Sequence, residues 1–265
     1  MRQFTLSFQG SPQYARLPFA FQNAESPKEI TCVISSRSAG NMLCEADLSP
    51  GKKTAQEIFY RSLGADPAQV YGGTQVHGQK VLIIDRHTPN TRPQADGFIT
   101  RDPSVLLSVT VADCLPVLFY DPESGGFGAV HSGWKGTGIA LSALRLMEQE
   151  WHTRPEKVSV ILGPCIQACC YRVDQNRAEL FEKNLGGSAG AYPLGPAVRR
   201  SDDAWYISLQ AANARLLVNA GVAEQNIAVC RNCTFTDERL GSFRREGPSY
   251  TRMTALIGFF PFSFF

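Results

Sequence analysis

Residues 105–120 read VLLSVTVADCLPVLFY, and their reading decides the fold. The runs 105–112 and 115–120 are apolar and β-branched. That is the pattern of strands buried on both faces. Asp113 and Cys114 interrupt them, a polar and soft pair at the junction of two buried strands. A third run, 126–130, follows a turn marked by Asp121, Pro122 and Gly125, and leads straight into His131. Working outward, residues 81–84 and 98–100 read as short strands and 30–35 as β-rich. Residues 158–162 read as a buried strand stopped by Gly163 and Pro164; 227–230 and 253–257 read as late strands. Helical periodicity marks 54–63, 138–151, 174–184 and 209–219. Residues 193–203 read as a loop. This order is not a strict βαβ alternation. It predicts an α+β fold with mixed β-sheet layers flanked by helices. No repeat or linker divides the chain, so one compact domain over residues 1–265 is expected.

Composition narrows the function classes. The chain has 265 residues, 26 Lys+Arg against 24 Asp+Glu, and a net charge of +2. That balance carries no strong electrostatic footprint for nucleic acid or anionic lipid. A 43% hydrophobic and 19% charged content belongs to a globular protein. No apolar run reaches the roughly 18 residues that span a bilayer. Residues 1–10 hold no signal-type apolar core, so a cytoplasmic location is expected. There thiols more often pack, ligate metal or react than form disulfides. The sequence holds eight Cys. The last eight residues, GFFPFSFF, read as the end of a strand plus a packed tail, or else as an exposed aromatic patch.

Three segments carry the chemistry: GTQVHG (73–78), ADCLP (112–116) and HSGWKG (131–136). Each puts a polar or soft ligand at the end of an apolar strand. Strand ends meet at one edge of a sheet, so Cys114 and His131 are expected to converge there. His77, after an apparent strand at 70–73, is expected to join them. One thiolate and two imidazoles suit Zn²⁺, and three protein ligands leave the open fourth position of a catalytic site. Zinc lowers the pKa of a water ligand toward about 7. A carboxylate is then needed to carry protons; Asp113 is the first candidate and Asp96 the second. The same residues also suit a thiol hydrolase, with Cys114 as nucleophile, His131 as base and Asp113 or a backbone carbonyl as orienter.

Other readings fit less well. A cytidine-type deaminase needs H-x-E and P-C-x-x-C. Here Pro164-Cys165 is followed by Cys169, one residue too far. A multicopper oxidase needs more imidazoles than four His supply. A single blue-copper site would use His₂Cys with an axial Met, and no Met lies near Cys114 or His131 in sequence. Cys230-x-x-Cys233 with Cys165, Cys169 and Cys170 reads either as a thiolate cluster or as buried thiols. His87 and His152 read as surface or structural residues.

The motifs TQVHG (74–78), ADGFIT (95–100), TVADCLP (110–116), HSGWKG (131–136) and GPCI (163–166) through CYRV (170–173) occur in order. Together they resemble the laccase-domain family, often labelled polyphenol oxidase and also purine nucleoside phosphorylase. The run CT (233–234), SFRR (242–245) and TR (251–252) extends the resemblance, which is strongest over about residues 70–175. It implies a YfiH-like fold and zinc held by His77, Cys114 and His131. It also implies phosphorolysis of adenosine, inosine and methylthioadenosine, and adenosine deamination; with Asp113 as the proton carrier read from its place beside a ligand, Cys114, Asp113 and His131 are the expected catalytic set. The implied partners are a purine nucleoside and phosphate, without nucleic acid or membrane. Some bacterial members are named peptidoglycan editing factors. A copper polyphenol oxidase or a catalytically weak scaffold in that role are the remaining family alternatives. Arg37, Lys135, Arg244 and Arg245 stand beside matched motifs and are the expected phosphate ligands. SSRSAG (35–40) keeps only Arg37 and one Gly of the family's N-terminal motif, and PSYT (248–251) lacks the usual Gly before Arg252.

Overall fold

In the computed structural model, residues 1–20, 30–43, 53–185 and 194–259 are described. Two mixed sheets organise them. The first runs β1 (Arg2–Phe4), β15 (Ile227–Cys230), β11 (Ser159–Leu162), β9 (Leu115–Tyr120), β10 (Phe127–Ser132), β7 (Gly97–Thr100) and β6 (Val81–Ile83). The second runs β2 (Phe8–Gln9), β3 (Tyr14–Arg16), β4 (Thr31–Ser35), β16 (Met253–Gly258), β8 (Leu106–Val111) and β5 (Val70–Tyr71). A small sheet joins β12 (Arg172–Val173), β14 (Ala204–Ile207) and β13 (Val198–Ser201). The helices are α1 (Ala55–Ser62), α2 (Ile139–Trp151), α3 (Gln175–Asn184), α4 (Leu209–Asn219) and the short α5 (Phe243–Glu246). The α+β class with sheet layers flanked by helices stands.

Side-chain alternation assigns the layers. Leu115, Val117, Phe119, Val130, Val160, Leu162, Ile227 and Val229 face one core, shared with α2 and α4. Their neighbours Leu118, Ala129, Ile161, Ala228 and Cys230 face the opposite way and meet Leu107, Val109, Val111, Ala255 and Ile257 of the second sheet. The outer face of that sheet packs Leu106, Leu256 and Val33 against Phe59 and Tyr60 of α1. The central strands are therefore covered on both sides, which is why they read as continuous apolar runs. Each large side chain buried this way contributes about 1.5–3 kcal/mol.

Helix ends follow local chemistry. The Thr54 hydroxyl accepts the Glu57 N–H at 3.0 Å and the Glu57 carboxylate accepts the Thr54 N–H at 2.9 Å, a reciprocal cap for α1. Asp174 and Ser208 cap α3 and α4.

One expectation is corrected. Within the stretch read as a loop, Val198–Ser201 is a strand, paired antiparallel with Ala204–Ile207 around Asp202 at φ 52°. Cross-strand pairing supplies what its unremarkable local pattern does not. β8 and β9 do not lie in one sheet; the turn at Asp113 and Cys114 carries the chain from the second sheet to the first. Cys114 and His131 converge as expected at one edge of the first sheet, where β9 and β10 pair with His131 opposite Pro116, and His77 joins them from the loop after β5 of the second sheet. Of the aromatic tail, the Phe259 ring packs edge-on against Phe127 at 5.6 Å and Tyr120 at 6.3 Å. Residues 260–265 lie outside the described residues.

Candidate metal centre and active site

The ligand atoms of His77, Cys114 and His131 lie within 4.8 Å of one another. Each arrives on a different device. His131 is the fifth residue of β10 and shares its face with Ala129, which points between the sheets. Cys114 follows Asp113, whose φ of 83° makes the sharp turn between the sheets. His77 stands in the loop after β5 with φ 59°. Such positive-φ positions cost on the order of 1–3 kcal/mol and persist only where surrounding contacts enforce them.

Asp96 supplies that enforcement. It is fully buried, and its carboxylate accepts the backbone N–H groups of Val76 (3.1 Å), His77 (2.9 Å) and Gly78 (2.9 Å). The same carboxylate lies 2.9 Å from His131 Nδ1. It therefore ties two ligand segments to one anchor. An acceptor at Nδ1 places the imidazole proton there and leaves the Nε2 lone pair for a metal. Burial tends to raise the Asp96 pKa, but the His131 ring and the backbone N–H groups bring it below the usual carboxylate value. Gln75 fixes the other end of the loop. Its amide donates to the Thr110 carbonyl at 2.8 Å and accepts from the Thr110 N–H at 2.7 Å.

The glycines of HSGWKG are needed for close approach. A Cβ on Gly133 would stand 3.1 Å from Cys114 Sγ and 3.2 Å from His77 Cδ2. One on Gly136 would stand 2.6 Å from the Gly78 carbonyl oxygen.

Electrostatics within the cluster are coupled. Burial would raise the Cys114 thiol, but the neighbouring His131 and His77 rings bring it down to about 6. Burial would lower the His131 pKa, but the Cys114 sulfur and Asp96 lift it to about 9. The thiol and imidazole thus favour a thiolate–imidazolium pair whose Nε2 proton a bound metal would replace, with His77 edge-on to His131 at 4.9 Å between ring centroids. Two imidazoles and one easily ionised thiol form a fitting donor set for a borderline-soft divalent ion.

A cavity of about 570 Å³ opens over the cluster. Its wall includes Asp113, Trp134, Tyr171 and Tyr250, and four arginines: Arg92, Arg177, Arg244 and Arg252. Of the four expected phosphate ligands, the structure brings only Arg244 to this wall. Arg37 lies 3.4 Å from the Glu246 carboxylate, with its side chain 47% exposed. Lys135 is exposed, with its ammonium 5.6 Å from the Trp134 ring centre. Arg245 is spent on structure: its guanidinium donates to the Thr234, Phe235, Asp237 and Leu240 carbonyls and to Glu246.

Sequence reasoning missed Arg92 and Arg177, and did not assign Arg252 a role. Arg177 lies one turn along α3 and stacks on Trp134 at 4.8 Å, a proximity without a local signal. Arg252, in the TR pair, stacks on Tyr250 at 4.1 Å. Among the described residues Arg92, Arg244 and Arg252 form no ion pair with a carboxylate, while Arg177 stands 3.8 Å from Asp174. Burial raises the Tyr171 phenol well above its usual value, so it stays a neutral donor at the wall.

Asp113 lines the cavity. Its carboxylate accepts the Thr234 hydroxyl at 2.6 Å and the Arg244 N–H at 2.7 Å. Asp96, the second candidate, is instead enclosed beneath the cluster. His87 and His152 belong to neither group of metal-capable side chains among the described residues.

A second group, Cys169, Cys170 and Cys233, also holds its sulfur atoms within 4.8 Å of one another. Cys233 Sγ accepts the Gln167 N–H at 3.3 Å. Burial would raise this thiol, but the backbone N–H groups of Gln167, Thr236 and Phe235 bring it below its usual value.

The profile of a family described as multi-copper polyphenol oxidoreductase laccase matches residues 48–260. The chain is 36% identical over 195 residues to purine nucleoside phosphorylase YlmD of Geobacillus stearothermophilus, covering 69% of this chain and 70% of that one. It is also 36% identical over 186 residues to a purine nucleoside phosphorylase of Deinococcus radiodurans, covering 69% and 68%. Two solved structures share the fold. The hypothetical protein YfiH of Bacillus licheniformis superposes with TM-score 0.79 at 24% identity, over 91% of this chain and 99% of that one. YlmD from Geobacillus stearothermophilus gives 0.75 at 26% identity, over 92% and 100%. No helix among the described residues is long and apolar enough to cross a membrane.

Proposed function

The chain belongs to the multi-copper polyphenol oxidoreductase laccase family, and from that premise we propose that it is a zinc-dependent purine nucleoside phosphorylase. One observation carries the reading. The His77, Cys114 and His131 donor set and the Arg92, Arg177, Arg244 and Arg252 wall face one cavity, so a metal and a phosphate can meet a single nucleoside. The relatives' names, purine nucleoside phosphorylase in both cases, point the same way. The mixed nitrogen and sulfur donors, with three ligands and an open position, suit catalytic zinc. Two imidazoles serve one ion, and no histidine is left nearby for a set of copper centres. Zinc held there would supply a Lewis acid.

In this reading the arginines hold phosphate through paired N–H donors. An oxygen of dihydrogen phosphate attacks C1′ of the sugar, the bond from C1′ to the purine nitrogen breaks, and the proton the phosphate gives up passes to the purine as it leaves. Tyr171, Trp134 and Tyr250 line the same space and offer aromatic faces for the base. Asp113 is the proton carrier. Each of its oxygens accepts one hydrogen bond and keeps a second lone pair. The same carboxylate supports a second reaction, adenosine deamination, with adenosine, inosine and methylthioadenosine as the candidate nucleosides. The proposal takes residues 1–265 as one domain, because strands from both ends of the chain complete the two sheets. It also takes the cytoplasm as the setting, consistent with the free thiols among the described residues.

The test is metal content beside phosphate-dependent release of adenine from adenosine, in the parent protein and in His131→Ala. About one zinc per chain, lost together with turnover in the variant, is the expected result. A folded, metal-free parent that still hydrolyses a substrate through Cys114 would replace this reading with the thiol hydrolase.

A further inference from the structure

Cys169, Cys170 and Cys233 come from two segments that supply no donor to the first cluster. Cys169 and Cys170 sit in the turn before β12, where the Cys170 and Tyr171 N–H groups both donate to the Gln167 carbonyl at 2.9 Å. Cys233 follows β15 and is held by a backbone β-bridge to Cys165, both thiols being free, and by the Asp237 N–H on its carbonyl at 2.9 Å. Two anchored backbone segments thus present three thiols to one point. The Cys169 and Cys170 sulfurs are 3.2 Å apart, and Cys233 Sγ already accepts the Gln167 N–H. Backbone N–H groups aimed at a sulfur orient and stabilise a ligating thiolate, as outer partners do in metal sites. Cys169 is exposed, and with Cys233 it lines an open cavity of about 850 Å³, so an ion has a path from solvent.

We propose that Cys169, Cys170 and Cys233 form a three-thiolate site for a soft metal ion of the Cu(I) class, separate from the His77, Cys114 and His131 centre. An all-sulfur donor set selects soft ions. Structural zinc closes at four ligands, whereas three thiolates suffice for Cu(I). Each thiol still protonated gives its proton to water as the ion binds, and no electron is transferred. The proposal does not depend on the nucleoside reaction.

The probe is Cu(I) alone, titrated without oxygen into reduced protein against a coloured Cu(I) chelator. The parent is expected to hold one tight Cu(I) that His131→Ala retains. Cys169→Ser and Cys170→Ser should each weaken it by more than the roughly 10–100-fold that follows loss of an outer partner. Cys169→Ser changes an exposed side chain, so the fold is not at stake. Cu(I) should also shield Cys169 and Cys170 from alkylation, read by mass spectrometry. Equal Cu(I) retention in both serine variants, or an equivalent lost in His131→Ala alone, would overturn the proposal. So would unprotected alkylation of Cys169 and Cys170 at saturating Cu(I).

Discussion

Two clusters in this molecule bring three metal-capable side chains within 4.8 Å, and they are built in opposite ways. In the His77, Cys114 and His131 cluster the donors are mixed and come from three distant segments. One buried carboxylate, Asp96, ties two of those segments together, beneath a cavity walled with arginine. In the Cys169, Cys170 and Cys233 cluster the donors are all sulfur, two of them are adjacent in sequence, and the supports are backbone N–H groups. The first cluster has an outer partner on one imidazole and a neighbouring wall of arginines, which in the proposed reading is what chemistry on a phosphate-dependent substrate requires. The second has neither, and suits holding an ion more than turning over a substrate.

The sharpest break in that comparison is His131→Ala. In the proposed reading it removes a ligand and the thiolate's partner together. Phosphorolysis should fall by about 1,000-fold or more, as loss of several kcal/mol of charge stabilisation implies. Copper retention at the thiol trio should not change. Rates with adenosine and phosphate, beside metal analysis, check both.

Asp96→Asn should come next, with metal affinity at the mixed cluster lowered roughly 10–100-fold. This variant also tests a pH effect. The Asp96 pKa is depressed in the folded protein. Its contribution to stability is therefore present above the ordinary value of about 3.9 and lost as pH falls through the lowered folded value. Acid unfolding followed by circular dichroism should show the parent losing stability across that window, and Asp96→Asn should flatten this component.

Gly133→Ala places a methyl 3.1 Å from Cys114 Sγ and 3.2 Å from His77. Zinc affinity should fall about 10-fold with little loss of fold, since the clash falls on the ligands rather than the core. A zinc competition assay beside thermal melting separates the two effects.

The arginine wall is tested by pairing Arg252→Ala with Lys135→Ala. Loss of one charge-assisted contact costs about 1.5–3 kcal/mol. The phosphate KM should therefore rise about 10-fold or more in Arg252→Ala, while Lys135→Ala stays near parent. A Lys135→Ala effect as large would mean that the exposed lysine swings onto the anion.

The smallest effect is expected from Cys169→Ser. Phosphorolysis should remain within about 2-fold of parent, the ordinary range for an exposed substitution. A larger loss in initial-rate assays would show that the two clusters are coupled, through Thr234, which follows Cys233 and donates its hydroxyl to Asp113.

The elements readable from sequence were those whose own pattern decides them. Residues 115–120 and 209–219 form a strand and a helix with those same bounds, and the Thr54 and Glu57 pair fixes the start of α1. The strands that escaped notice, β1 to β3 and β12 to β14, have two to four residues each and take their stability from a neighbour. A two-residue strand such as Arg172–Val173 has no periodicity to detect. The metal-capable trio was readable because each member ends or follows an apolar strand.

The sequence by itself determined which segments would be buried strands and which polar residues interrupt them, because burial on two faces imposes a local apolar code. It also contained the ordered motifs of the family. Only the tertiary structure decided which cations face the cavity. Arg245 lies one residue from Arg244, yet its guanidinium is consumed by four carbonyls and a carboxylate, while Arg244 reaches the wall with Arg92, Arg177 and Arg252. A guanidinium ends several bonds from its backbone, so its destination depends on partners far along the chain. That information is absent from the residues on either side of it.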